Sequence, residues 1–212
     1  MRTFLRDNGL TIVLGAAFVL SVLGMLFAGW TTQNAELADH GRPTIGLVAY
    51  MSGGEFLSAL FENWESEFLQ MAAYVILTAM LFQRGSAESR DPDAPERAGD
   101  ELPRSVRKGR AVLAWLYSRS LGIMLALLFM VSFVLHWTFS LAAANERAQQ
   151  HGGAIQTLPA YLFDAQLWFE SFQNWQSEFL STAILVVLSI FLRHKGSPES
   201  KPVNAANEQT GA

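Results

Sequence analysis

Two long apolar runs, each followed by a polar stretch, dominate the chain. Leu10 to Trp30 holds 21 residues with no charged side chain, and Leu121 to Leu141 holds 21 in which His136 alone can ionise. At about 1.5 Å per helical residue, each matches the roughly 20 residues that cross about 30 Å of hydrocarbon. Both are predicted transmembrane helices. Two shorter runs, Phe68 to Phe82 and Phe179 to Leu192, are too short to span alone. A second span is therefore predicted from Trp64 to Gln83, with Ser66 and Glu67 in its first turn, and a fourth extended likewise to include Ser177 and Glu178. Arg2 and Arg6 before the first run resemble the start of a signal peptide. That run is longer than a signal core, lacks a small-x-small cleavage site, and has a counterpart inside the chain. It is expected to stay as an uncleaved span.

The pattern repeats. Phe61-Glu-Asn-Trp-Glu-Ser-Glu-Phe-Leu69 and Phe172-Gln-Asn-Trp-Gln-Ser-Glu-Phe-Leu180 are near copies 111 residues apart. The same offset pairs Gly85-Ser-Ala-Glu-Ser89 with Gly196-Ser-Pro-Glu-Ser200, Tyr50 with Tyr161, His40 with His151, and Asn34 with Asn145. The predicted organisation is a first two-span repeat at 1–90, a linker at 91–110, a second repeat at 111–200 and a disordered tail at 201–212.

Charge supplies orientation. Of 15 Lys and Arg residues, 13 flank the repeats or join them, and only Arg42 and Arg147 lie within the two intra-repeat loops. Those loops carry Glu36, Asp39, Glu55, Glu62 and Glu65, and Glu146, Asp164 and Glu170. Under the positive-inside rule both termini and the linker are cytoplasmic, and the repeats share one orientation. They should then be related by a pseudo-twofold axis along the membrane normal. Half of the 212 residues are hydrophobic and 16% are charged, as expected of a membrane protein rather than a soluble domain. The net charge of −4 averages two unlike faces and gives no reason to expect a nucleic-acid partner. Arg104, Arg107, Lys108 and Arg110 suit anionic lipid. Cysteine is absent, which removes disulfide and thiolate chemistry.

The Asp, Glu, Arg, Ala and Pro residues between Ser86 and Pro103 describe a segment with little apolar surface to bury. Ser52-Gly-Gly-Glu55 has capping-box spacing, and Phe56, Leu57, Leu60, Phe61 and Trp64 follow at helical intervals; Asp164 can cap the copy, with Leu167, Trp168, Phe172 and Trp175. Each stripe is either a short amphipathic helix in the outer interface or the flank of one helix continuing into the span. Trp64 and Trp175 are placed as interfacial anchors.

Asn63, Glu67, Gln70, Tyr74 and Thr78 form one polar stripe, with Asn174, Glu178, Ser181 and Ser189 at the equivalent positions. Polar groups have no partner in lipid, so the stripe should face the bundle. The candidate polar or ion site is therefore Glu67, Glu178, Asn63, Asn174, Gln70 and Ser181. Its glutamates either complement helix N-termini or meet around a cation or proton. Ala17, Ser21, Gly24 and Ala28 offer a small-residue packing face. His40 and His151 are weak metal candidates, without short-spaced companions. His136, opposite Met25 in the first repeat, reads as an interhelical hydrogen-bonding residue, and one such histidine argues against bis-histidine haem. No cofactor is expected. Hydrolase, nucleotide and metalloprotease signatures are missing, so the expectation is a non-enzyme.

Phe61-Glu-Asn-Trp-Glu-Ser-Glu-Phe-Leu-Gln70, the apolar stretch after it and Gly85-Ser-Ala-Glu-Ser89, with their second copies and His40-Gly41, resemble a bacterial family of small membrane proteins known only as a domain of unknown function. The resemblance implies a bacterial inner-membrane protein and supplies no substrate, cofactor or catalytic residue. The fold expected is an all-α membrane protein: four transmembrane helices from two tandem parallel two-helix repeats in a pseudo-twofold bundle, with short amphipathic helices outside. Its partners are the lipid bilayer and either a second copy or another membrane protein. The function expected is that of a non-enzymatic structural, interaction or stress-related membrane protein, with a small transporter or channel using the paired acids as the alternative.

Overall fold

The computed structural model describes residues 2–97, 99–107 and 109–211; the side chains of Arg2 and Arg104 and the whole of Lys108 lie outside the described part, and with them their expected lipid contacts. Among the described residues the chain forms helices and turns and no strand. In order these are α1 (Arg2–Asp7), α2 (Gly9–Asp39), α3 (Leu47–Met51), α4 (Gly54–Thr78), α5 (Arg104–Arg107), α6 (Ala111–Ser118), α7 (Ser120–Gln150), α8 (Leu158–Tyr161) and α9 (Ala165–Phe191). Three helices, α2, α7 and α9, are long and apolar enough to cross a membrane. Their apolar side chains point largely outward, with Leu10, Leu20, Leu121 and Leu180 all exposed, as suits a lipid solvent rather than water. The 25-residue α4 carries Glu55, Glu62, Glu65 and Glu67 and is not among the three.

The amphipathic stripes do not form separate short helices. Phe56 to Trp64 belong to the same unbroken α4 as Ala72, and Leu167 to Trp175 to the same α9 as Ser189. With no glycine or proline inside either stretch, nothing interrupts the backbone ladder. Asn63 and Asn174 consequently sit in helix interiors rather than at caps. Asp164 does cap α9, accepting from Gln166 N at 2.8 Å. Ser52 does not cap α4: its hydroxyl turns back to Val48 O and Ala49 O, closing α3 instead. The helix α4 also ends at Thr78, short of the Gln83 expected for the second span, and an Arg90 guanidinium donates to Ala79 O just beyond it.

The chain divides into two compact units, and each takes residues from both sequence halves. The first comprises residues 1–60 and 138–158. Its core is Leu26, Tyr50 and Phe56, with Val22, Met25, Trp30 and Ile45 against them. Trp30 Nε1 and Asn34 Nδ2 both donate to Ile45 O, and Ile45 N donates back to Asn34 Oδ1 at 2.7 Å. Burial, and then the charge of Glu55, pushes the Tyr50 phenol up. Close packing requires glycine at 54, where a Cβ would come within 2.7 Å of Ala143 N.

The second unit comprises residues 61–137 and 159–212. One end of it is built from the Gly85–Ser89 and Gly196–Ser200 loops, each opened by a glycine with φ near +84°, in the region that favours glycine (83° and 85°). The segment after Ser200 has the sequence of a disordered tail, yet Lys201 is buried and its ammonium donates to Gly85 O, Ala206 O, Asn207 O and Gln209 O. Four carbonyls converging on one cation replace its hydration, which hydropathy alone does not register. Arg84 pairs with Asp93 of the linker and holds that carboxyl below its usual range. Glu88 accepts from Tyr74 OH at 2.7 Å; its own carboxyl is pushed up, first by burial and further by neighbouring Glu199.

Local geometry recurs at the 111-residue offset. Asn145 and Gln156 exchange the bonds that Asn34 and Ile45 exchange, His151 Nδ1 bonds Arg147 O as His40 Nδ1 bonds Glu36 O, and His194 N donates to Ser200 Oγ as Gln83 N does to Ser89 Oγ.

Candidate functional site

The second unit holds a buried charged centre to which three helices contribute. His136 stands midway along apolar α7, and its side chain is fully buried. Its Nδ1 lies 2.6 Å from Glu65 Oε2, also fully buried, and its Nε2 lies 3.2 Å from Glu170 Oε2. Glu62 and Glu65 are one helical turn apart on α4, so both can face the same neighbour. Asn174 and Trp175, four and five residues beyond Glu170 on α9, complete the set: Asn174 Nδ2 donates to Glu62 Oε1 and to Glu170 O, and Trp175 Nε1 donates to Glu65 Oε1 at 2.9 Å. Gln166 Nε2 donates to Glu170 Oε1 at 2.8 Å.

Aromatic rings wall this centre. Phe129 meets Trp175, Phe133 meets Trp168, and Trp168 meets Trp175 edge to face, with centroids 6.0 to 6.4 Å apart. Such a wall lowers the local dielectric, strengthening the His136–Glu65 attraction and raising the cost of breaking it. With both ring nitrogens on carboxylate oxygens, the metal-free geometry is that of an imidazolium donating twice. Three carboxylates then face one positive charge. Were all three ionised, two negative charges would be left over.

The chain belongs to the family described as domain of unknown function DUF6766. The match covers residues 1–212. No curated protein and no solved structure matches the chain.

The residues singled out from sequence are divided by the fold. Glu67 is exposed and Glu178 partly buried, within electrostatic reach of each other but outside the His136 centre. Gln70 turns to Thr182 Oγ1, not to Ser181, whose hydroxyl returns to Glu178 O. Asn63 is exposed, whereas Asn174 joins the centre. Trp64 packs edge to face on Phe61, while Trp175 binds Glu65. His40 and His151 face each other edge to face at 6.4 Å in the first unit, each ring holding a backbone carbonyl. Glu62, Glu65 and Glu170 read as loop acids in the sequence. The signal that marks them is divergence between the halves: their counterparts at the 111-residue offset are Gln173, Gln176 and Ala59, and His136 answers to Met25.

Proposed function

We propose that this is a non-enzymatic membrane protein of the bacterial inner membrane, in which the His136 centre takes up and releases cations, protons included, as part of a small transporter or channel. In this reading α4 from Trp64 onward joins α2, α7 and α9 as a fourth span. The two-helix repeats run parallel about a pseudo-twofold axis, and both termini and the linker are cytoplasmic, following the partition of Lys and Arg. The observation that carries it is the fully buried His136–Glu65 pair at 2.6 Å, with His136 midway along a helix of spanning length. Ionisable groups at such depth are expensive and characteristically mark ion and proton pathways. The counterpart positions in the other half, Met25, Gln173, Gln176 and Ala59, carry no charge.

The test is collapse of an imposed pH gradient in proteoliposomes. Flux through the parent, abolished by Glu65→Gln with helical content retained, is the expected result. Parent vesicles that hold their gradient as long as protein-free vesicles would refute transport. The structural, interaction or stress-related role would then be preferred. That second reading draws on the saturation of the centre, since both oxygens of Glu65 and both of Glu170 have hydrogen-bond partners.

A further inference from the structure

Glu62, His136 and Glu170 each offer a ligand atom, and these atoms all lie within 4.8 Å of one another. One pair, His136 Nε2 and Glu170 Oε2, is 3.2 Å apart. Ligands at about 2.0–2.1 Å from a tetrahedral metal are separated from each other by about 3.3 Å, so this edge already has the required length. Glu65 occupies the position of an outer partner. Bound to Nδ1 at 2.6 Å, it keeps a hydrogen on Nδ1, so that loss of the Nε2 proton would bare a lone pair on the side of Glu170 and Glu62, as in carboxylate–histidine–metal triads. Trp175 holds the second Glu65 oxygen and thereby the carboxylate plane. Glu62 is only partly buried, which leaves a side from which an ion can enter.

We propose that Glu62, His136 and Glu170 form a three-ligand site, open at a fourth position, for a first-row divalent metal ion such as Zn2+ or Mn2+, with Glu65 as the positioning residue. The inference rests on reading this centre as a cation site and names the cation. Imidazole with carboxylates, and no thiolate anywhere in the chain, suits these ions rather than Cu(I). Three ionised carboxylates around a neutral imidazole would carry three negative charges, of which a divalent cation offsets two. As the metal enters, the proton shared between Nε2 and Glu170 departs to solvent, so binding releases protons.

Full-length protein in detergent, stripped with chelator, would be titrated with Zn2+ and with Mn2+ by calorimetry in buffers of different ionisation enthalpy, with bound metal counted by elemental analysis. The expected result is one ion per chain with proton release. Glu62→Gln, a partly exposed position that leaves the His136–Glu65 pair intact, should weaken binding at least tenfold. Glu65→Gln should weaken it about 10- to 100-fold although it touches no metal. Absence of stoichiometric binding by the parent, or parent-like affinity in both variants, overturns the proposal. So does loss of the ion in a His40→Ala, His151→Ala double variant. Proton flux in vesicles separates the two readings: flux without metal binding removes the metal site and keeps the transport reading, whereas metal binding without flux keeps the site and removes transport.

Discussion

The centre of the first unit and that of the second occupy corresponding stretches of the two sequence halves and solve one packing problem with opposite chemistry. Met25 packs against Leu26, Tyr50 and Phe56; 111 residues on, its counterpart is His136, with Tyr161 and Leu167 answering to Tyr50 and Phe56. Methionine adapts to irregular apolar space and needs no partner. Histidine in that position must be satisfied, and it is, by glutamates from two helices. Met25 is partly buried and His136 fully buried, so an uncharged side chain packs at one of the two positions and a charged pair at the other.

The largest effect should come from His136→Met, which gives the second centre the residue of the first while stranding Glu65. Removing one partner of a buried pair costs about 3–5 kcal/mol, measured by thermal or denaturant unfolding of the purified protein. Combining it with Glu62→Gln, Glu65→Gln and Glu170→Ala, which completes the exchange, should recover most of that loss. A fourfold variant as unstable as the single one would break the comparison. In the reverse direction, Met25→His places an imidazole against Leu26, Tyr50 and Phe56 without a carboxylate and should cost about 2–3 kcal/mol.

The duplicated tryptophans sharpen the contrast. Trp175→Phe deletes the indole donor to Glu65 and should cost about 2 kcal/mol, whereas Trp64→Phe, which keeps a ring on Phe61, should cost well under that by the same assay. Equal effects would mean that both act only as interfacial anchors. Gly29→Ser copies the buried Ser140 of the second half into a place where an added Cβ overlaps the Tyr50 hydroxyl, and should lower stability by about 1 kcal/mol, since the ring can shift. Smallest of all, Glu55→Gln removes the ion pair with Arg147, whose side chain is 51% exposed; screening leaves about 0.5 kcal/mol or less, fading further in salt.

How much of this was legible differs from residue to residue. The long helices were plain, because 21 uncharged residues have one economical arrangement in lipid. Asp164 announced its own cap through purely local chemistry. The candidate site was read from the residues the halves share, and Glu67 with Glu178 led there. The buried cluster lies instead where the halves differ, at Glu62, Glu65, His136 and Glu170, and no local window joins residues 62, 136 and 170. Only Asn174 belongs to both sets.

By itself the sequence determined the helical periodicity, the lengths of the apolar runs, the internal repeat and the absence of thiol chemistry, all properties of neighbours along the chain. Tertiary structure decided which of several glutamates is buried. Helical geometry allows Glu62, Glu65 and Glu67 several directions, and the choice falls to whichever neighbour can satisfy a carboxylate; for Glu65 those neighbours, His136 and Trp175, lie 71 and 110 residues away. The same holds for Lys201, whose burial depends on carbonyls of a distant loop and of the turn that follows it. Local pattern sets what a residue needs, and only long-range packing sets whether that need is met.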